Sequence, residues 1–371
     1  MKVAFIPPAP GNESRRFPPL RAAGPPSATG GFRVTSVTAD DHGNQEEGKK
    51  ETDSEHGPRI MNPLKKWIVA ARPWSLPASS MPVVLGTSLA VVIGGARLSP
   101  FKFFLALAAM MILHSAANML SDVFDFRKGL DTEVTPVSGA VVRGWLSPSR
   151  VAAGSAVLFA SGIGLGLWLV SLTGPALFFI GAAGVAVGAS YTFLKSRALG
   201  DLAVFLNFGI LGSLGAWVVQ TRSFSWLPVI WTVPLAMLVS AILHANNWRD
   251  LATDGERKVF TLAHMLGDRG SQAYYGFLLF GSMALILLFT AVPRLVAVPL
   301  PALPPTFLIV PAAFPQALRL WGRARRRRAP VKPMDFVILD GATADYNLLF
   351  GLLCTGALWL HAGIRAAGIF R

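Results

Sequence analysis

Long apolar stretches separated by short polar segments dominate the chain from Leu76 onward. Nine of them are long enough to cross a bilayer as helices: residues 76–95, 101–121, 151–172, 175–193, 201–221, 227–247, 273–293, 297–317 and 345–364. No alternation of ten-residue strands is visible, which argues against a barrel. The pattern predicts an all-α polytopic membrane protein, with about nine transmembrane helices, no separate extramembrane domain and the lipid bilayer as its surroundings.

Residues 1–60 have a different character, being rich in Pro, Gly, Ser and charge without a sustained apolar period. This composition predicts a disordered tail ahead of a transmembrane domain at 61–371. Two alternatives remain open. Arg15, Arg16 and Arg21 favour an organelle-targeting peptide, although the acidic residues after Asp40 argue against a long one. Met61 is also a natural start, because the sequence MNPLKKW leads directly into the first apolar stretch.

The composition agrees with a membrane protein. Hydrophobic residues make up 52% of the 371 residues and charged ones only 15%, whereas a soluble domain carries about a quarter. The single cysteine, Cys354, excludes an internal disulfide and a cysteine-based metal site.

Two apolar stretches end abruptly in acids. One reads LHANNWRDLATDGERKVFTLAHMLG from Leu243, and its Asp250 and Asp254 lie four residues apart, on one face of a helix. The other reads LHSAANMLSDVFDFRKGLD from Leu113 and contains Asp122, Asp125 and Asp131. An unpaired carboxylate near hydrocarbon costs several kcal/mol. The ordinary reading is a solvated loop with salt bridges; the alternative is a shared binding site for a divalent cation.

The distribution of cations predicts which side these stretches face. If both open to the cytoplasm, that side collects twenty Lys and Arg residues after position 60, against six on the other side. This positive-inside bias predicts a multi-pass protein of the cell (inner) membrane with cytoplasmic active-site loops. The run Arg323–Arg328 is assigned to the same bias, with anionic lipid or substrate as its alternative partner; nucleic acid is not an expected partner.

Carboxylates and cations above an apolar cavity suit one class of ligand. Mg²⁺ takes one or two carboxylates and completes its shell with water and phosphate oxygens, while Lys and Arg can hold further oxygens. A diphosphate on a hydrophobic, allylic tail would use both parts, and an electron-rich acceptor carbon could attack after cleavage. An ion-coupled transporter is the rival from another class. The acids lie at span ends on one side, which favours an enzyme.

Both acidic stretches resemble the UbiA superfamily of intramembrane aromatic prenyltransferases, from about Ala71 to the C-terminus. The second stretch is similar to the pattern of the menaquinone branch, with paired Asn, Arg-Asp, a second Asp, Lys, Thr-Leu-Ala and Leu-Gly. Further similarity lies in ARPWSLPAS, GLDTEVTPVSGAVVRGWLSP and YTFLKSRALGDLAVFLNFG. Several matches in the right order are more specific than one Asp pair.

The resemblance implies a helix bundle around a central cavity and roles for individual residues. The implied Mg²⁺ ligands are Asp122, Asp125, Asp131, Asp250 and Asp254. The implied diphosphate contacts are Lys128, Arg143, Lys195, Arg249 and Lys258, with Asn246 and Asn247 as supports and Tyr191 as either a substrate contact or an interfacial aromatic.

Four positions leave details open. The family usually has Asn directly before the first Asp, whereas Ser121 precedes Asp122 here. Asn118, one turn earlier, could substitute for that amide. His114 and His244 occupy similar places in the two stretches, where each is either a base for a phenolic acceptor or a packing residue.

The predicted activity is Mg²⁺-dependent transfer of a polyprenyl group from polyprenyl diphosphate to an aromatic acceptor. The resemblance favours 1,4-dihydroxy-2-naphthoate as the acceptor, in menaquinone synthesis, with loss of the ring carboxylate. 4-Hydroxybenzoate or another aromatic acceptor is the alternative.

Overall fold

Helices account for nearly all regular structure in the described part of the chain. A computed structural model describes residues 62–129, 134, 138–256, 259–296, 302–327 and 334–368, without the side chains of Thr253 and Glu256. Within these ranges there is no strand, and the one β-bridge joins Arg197 to Phe260. The all-α prediction is therefore confirmed for the described residues. The predicted disordered tail at 1–60 lies outside them and stays a prediction.

Fourteen helices follow one another in the described residues. They are α1 (Pro63–Ala71), α2 (Pro77–Val92), α3 (Pro100–Arg127), α4 (Pro148–Thr173), α5 (Pro175–Ala189), α6 (Tyr191–Lys195), α7 (Gly200–Thr221), α8 (Trp226–Trp231), α9 (Val233–Arg249), α10 (Leu251–Glu256), α11 (Leu262–Leu295), α12 (Phe314–Arg325), α13 (Met334–Val337) and α14 (Leu339–Ala366). A 3₁₀ helix occupies Pro305–Ala313, and a π-helical turn, Phe205–Leu211, interrupts α7.

Five of these helices are long and apolar enough to cross a membrane, namely α3, α4, α7, α11 and α14. The segment Pro63–Ser75 and α2 form a sixth candidate if their pair, bent by 57°, counts as one span. The predicted count of nine is thus not confirmed in the described residues.

Proline and turn positions divide the other apolar stretches. The stretch 227–247 consists of α8 and α9, which are separated at Thr232 before Pro234. The 15-residue α5 ends before Ser190, and in the stretch predicted at 297–317 the residues from 305 to 313 form a 3₁₀ helix that contains Pro311. Proline lacks the N–H that an α-helix needs in its interior, so the stretches at 227–247 and 297–317 do not form single continuous α-helices in the described residues.

The core lies between α9, α11, α14 and α2. Leu238, Leu279 and Phe350 are fully buried there, and thirteen of the seventeen residues of α9 are buried. Close helix contact needs glycine at Gly86 of α2, where a Cβ would lie 2.2 Å from the carbonyl oxygen of Ser213 in α7. This packing places the polar end of α9 against its neighbours.

Polar side chains lie at the helix ends, at both ends of the bundle. At one end Lys102 of α3 and Arg222, which follows α7, both donate to the Leu172 carbonyl near the end of α4, at 3.0 and 3.3 Å. The far end of α3 carries Asp125, which lies 3.8 Å from Lys195 of α6. Acidic helix ends therefore meet basic ones away from the Lys102 end, as the sequence predicted.

Candidate active site

A cavity of about 630 Å³ lies between α2, α3, α5, α7 and α9. Most of its wall is apolar, including Met110, Leu177, Ile180 and Leu211. Its charged lining residues are Arg72, Asp125, Lys195 and Asp340, joined by the amide of Asn246. The structure thus contains both parts that the sequence predicted, a charged site and an apolar chamber.

The two carboxylates of α3 have different surroundings. Asp122 is fully buried, pairs with Arg72 at 3.5 Å and accepts a hydrogen bond from the Val141 backbone N–H at 3.1 Å. Asp125 lines the cavity, pairs with Lys195 at 3.8 Å and accepts a hydrogen bond from Ser121 at 3.1 Å. Asp122 therefore joins the loop after α3 to Arg72, while Asp125 faces the cavity. Asp131 lies outside the described residues.

Arg249 holds the second acidic stretch in place. Its Nε and Nη2 donate to the two oxygens of Asp250, both at 2.9 Å. Its Nη1 donates to Asp340 at 2.8 Å, and Asn246 donates to the same Asp340 oxygen at 3.2 Å. The Arg249 guanidinium was predicted to contact diphosphate, yet here it is engaged with two carboxylates and is 8% exposed. Its observed contacts orient Asp250.

The Lys195 ammonium interacts electrostatically with carboxylates of both acidic stretches. Burial lowers the pKa of its ammonium, but Asp125, Tyr191, Asp254 and Asp250 oppose this effect, and the net pKa lies above the ordinary value of lysine. Carboxylates of both stretches therefore act on one cation. Asp254 is buried in α10, and Lys258 lies outside the described residues.

The remaining polar residues predicted on α3, with Tyr191, line the same cavity. Asn118 donates to the Ala71 carbonyl at 3.1 Å and to Ser75 at 2.9 Å, which ties α3 to the turn after α1. His114 Nδ1 lies 2.9 Å from Ser79 Oγ. Ser121 and Tyr191 complete this group. These residues are in reach of a cavity ligand.

Two predicted diphosphate contacts are elsewhere. Arg143 donates to the Ser138 carbonyl at 3.0 Å and lies over the Trp145 ring at 4.9 Å. Lys128 lies over the Phe124 ring at 5.8 Å and lines a second cavity of about 380 Å³, which shares Ser121 and Tyr191 with the first. In the described ranges the main cavity does not include either cation.

Three acids and bases of the site were not predicted. Arg72 and Asp340 line the cavity, and Asp201 is buried at the start of α7. His244 Nδ1 lies 2.9 Å from Asp201, and Asn247 donates to Asp201 at 3.5 Å. Their position in the sequence was the feature that could have identified them, because each lies beside the end of an apolar stretch on the side of the acidic motifs.

The donor set fits a magnesium ion bound together with a diphosphate. The described residues hold no group of three His, Cys, Asp or Glu side chains able to bind a metal alone. Mg²⁺ commonly uses one or two carboxylates plus water and phosphate oxygens. Asp125 offers a hard oxygen donor in the cavity lining, and Asp250 and Asp254, which do not line it, are close enough to act on Lys195. Lys195 and Arg72 offer positive charge for the remaining phosphate oxygens.

Comparison with known proteins gives a consistent result. Residues 79–339 match the model of the UbiA prenyltransferase family. The UbiA prenyltransferase domain-containing protein 1 of Danio rerio is 35% identical over 293 residues, covering 77% of this chain and 81% of that protein. Its Drosophila melanogaster homolog is 32% identical over 298 residues, covering 78% of each chain.

Solved structures agree at the level of the fold. A UbiA homolog from Archaeoglobus fulgidus bound to DMAPP and Mg²⁺ superposes with a TM-score of 0.52 at 12% identity, covering 78% of this chain and 99% of that one. The same homolog bound to GPP and Mg²⁺ gives a TM-score of 0.53, also at 12% identity and with the same coverage.

Proposed function

This chain belongs to the UbiA prenyltransferase family and is a membrane-embedded prenyltransferase. We propose that it transfers a polyprenyl group from polyprenyl diphosphate to an aromatic acceptor. The observation that carries the proposal is the cavity, whose charged lining of Asp125, Lys195, Arg72 and Asp340 continues into a long apolar wall. The charged lining suits a diphosphate and the apolar wall suits its hydrocarbon tail.

Asp125, Asp250 and Asp254 are the proposed magnesium ligands. The two structures of the Archaeoglobus fulgidus homolog contain Mg²⁺ with DMAPP or GPP. This supports the assignment of magnesium ligands here. When bound, the metal would neutralise the charge that develops on diphosphate. Asn246 and Arg249 would orient the acidic groups, through their shared contact with Asp340. Asp131 and Lys258 remain predicted members of this set.

Lys195 and Arg72 would hold the oxygens of the diphosphate. Heterolysis of the allylic carbon–oxygen bond leaves the electron pair on the diphosphate, and fixed positive groups stabilise that charge. Lys195 lies 3.8 Å from Asp125, so a metal on the carboxylate and a phosphate on the ammonium would be neighbours. Both side chains are mostly buried, which strengthens the interaction because water screens it less.

The apolar wall would protect the allylic cation from water. Met110, Ile180 and Leu211 offer no nucleophile, and exclusion of water prevents hydrolysis of a reactive intermediate. The acceptor ring carbon then forms the new bond, and the ring loses a proton or, in a 2-carboxylated naphthalene, carbon dioxide. His114 lines the cavity and is the proposed base; His244 is fully buried outside the cavity lining, with its Nδ1 2.9 Å from Asp201.

The favoured acceptor is 1,4-dihydroxy-2-naphthoate, with 4-hydroxybenzoate as the alternative. This preference rests on the sequence resemblance of the second acidic stretch. The site would open to the cytoplasmic side of its membrane, as the distribution of Lys and Arg predicts. An ion-coupled transporter, the rival suggested by the acidic residues, has no support from the family.

Reconstituted membranes containing this chain test the proposal. With Mg²⁺, a polyprenyl diphosphate and the naphthoate, mass spectrometry should detect a prenylated, decarboxylated naphthalene. A parallel reaction with 4-hydroxybenzoate tests the alternative acceptor. Product formation that is unchanged by Asp125→Ala or by chelation of Mg²⁺ would refute the assignment of the site.

A further inference from the structure

A single turn of unusual geometry interrupts α7 beside the cavity. Residues Phe205–Leu211 form a π-helical turn between two α-helical segments. Such turns are rare and occur frequently at functional sites, because the widened turn changes the direction of its side chains. The turn contains one side-chain amide, Asn207, which lines the cavity. The local backbone thus presents a polar group to a mostly apolar chamber.

The side-chain amide of Asn207 makes no hydrogen bond with the described residues, whereas its backbone carbonyl accepts one from the Gly212 N–H. It lies against two glycines of α5. A Cβ on Gly184 would be 3.0 Å from Asn207 Oδ1, and one on Gly188 would be 3.7 Å from Nδ2. The two glycines allow the amide to lie close to the α5 backbone, and because Asn207 lines the cavity a ligand there can reach it.

The surroundings explain why the amide needs a ligand. Leu177, Ile180 and Leu211 are part of the same wall, and His114 already has Ser79 as a partner at 2.9 Å. An amide without a hydrogen bond in an apolar medium costs about 1–3 kcal/mol. Asn207 lies six residues beyond Asp201 in α7, in the same turn as the apolar lining residue Leu211.

We propose, on the basis of the proposed function, that the Asn207 amide hydrogen-bonds a ring hydroxyl or carbonyl of the aromatic acceptor and so positions the ring beside the prenyl chain. A hydrocarbon tail has no polar group for it. A carboxylate would instead be stabilised by Lys195 and Arg72 at the charged end of the cavity. A neutral oxygen on the ring is the partner that an uncharged amide matches.

Kinetics with an isosteric variant test this proposal. Asn207→Leu keeps the size of the side chain but removes its hydrogen bonds, and should raise the KM for 1,4-dihydroxy-2-naphthoate about tenfold, leaving the KM for the polyprenyl diphosphate unchanged. Inhibition by naphthalene-2-carboxylate, which lacks both hydroxyls, should be equal in the wild type and the variant. Asn207→Thr keeps a hydroxyl and should have an intermediate KM.

Leu206→Ala is the matched control, because Leu206 lies in the same turn but is 40% exposed and does not line the cavity. Its KM values should equal those of the wild type, with thermal unfolding measured for every variant. An unchanged acceptor KM in Asn207→Leu, or a changed KM for the diphosphate alone, would overturn the proposal. If the wild type prenylates neither the naphthoate nor 4-hydroxybenzoate, the proposed function itself fails and this inference with it.

Discussion

Asp122 and Asp125 are only three residues apart on α3, yet their side chains have different surroundings. Asp122 is fully buried between Arg72 and the Val141 backbone N–H. A Cβ on Gly139 would lie 2.0 Å from Asp122 Oδ1, so the loop backbone packs directly on this carboxylate. Asp125 instead borders the cavity beside Lys195. Stability should depend on the first carboxylate and catalysis on the second.

Asp122→Ala should lower the free energy of unfolding by about 3 kcal/mol, since it leaves the mostly buried Arg72 without its carboxylate. Thermal unfolding in detergent measures this loss. Asp125→Ala is the matched control, the same change one turn away; it should abolish prenyl transfer and lower the unfolding temperature less than Asp122→Ala, because Asp254 and Asp250 still act on Lys195. Equal unfolding temperatures for the two variants would contradict this division of roles.

Lys195 should keep its charge in alkaline solution. Burial opposes the charge, but Asp125, Tyr191, Asp254 and Asp250 outweigh it and raise the pKa above the usual 10.5. A raised pKa means that the contribution of the ammonium is present in full below the ordinary lysine value, and is lost only as the pH rises through the higher one.

Lys195→Met should therefore raise the KM for polyprenyl diphosphate by about tenfold to a hundredfold, and by the same factor at about pH 7 and about pH 9.5. Initial rates at both pH values provide the measurement, and Lys195→Arg should retain part of the affinity. If the wild-type KM approached that of Lys195→Met at the higher pH, the ammonium would be losing its proton below the ordinary lysine pKa. That result would contradict a raised pKa.

At the scale of elements, a contact between α9 and α14 holds the second acidic stretch. Arg249, the last residue of α9, is shared between Asp250 and Asp340, and Asp340 belongs to the first turn of α14. Groups that orient metal ligands commonly change metal affinity by about tenfold to a hundredfold when removed. Loss of the contact between α9 and α14 should therefore raise the Mg²⁺ concentration that activity requires.

Asp340→Asn should raise the Mg²⁺ concentration for half-maximal activity about tenfold, because Arg249 loses a charged partner. Titration of prenyl transfer with Mg²⁺ measures it. Asp335→Asn is the control, since Asp335 pairs at 3.2 Å with Arg326, whose side chain is 73% exposed, and such exposed pairs contribute little. Identical Mg²⁺ curves for the two variants would refute the orienting role.

The apolar pattern predicted where helices occur better than where they are continuous. The stretches at 101–121 and 151–172 lie within the long helices α3 and α4. The stretch at 227–247 is divided at Thr232, and α11 contains the non-helical Gly267 with a φ of 64°. Hydrophobicity reports burial in lipid or core, whereas breaks depend on backbone chemistry at single prolines and glycines.

At the scale of the whole molecule, the charged lining of the cavity comes from segments far apart in sequence. Asp125, Lys195 and Asn246 were predictable because each follows or ends an apolar stretch within a recognisable motif. Arg72 and Asp340 also lie beside the ends of apolar stretches, but position alone did not identify them, because their importance comes from pairing with Asp122 and Arg249 across the bundle. Sequence also placed Arg143 and Lys128 with the diphosphate contacts, whereas the fold directs them to Ser138 and to the second cavity.

The central claim is that the two acidic stretches bind one diphosphate through Mg²⁺. Equilibrium binding of a radiolabelled polyprenyl diphosphate to the purified chain tests it most directly, with wild type, Asp125→Asn and Asp254→Asn compared in the presence and absence of Mg²⁺. Binding should require Mg²⁺ and should be lost in both variants. Wild-type, Mg²⁺-dependent affinity in either variant would contradict a site shared by the two stretches.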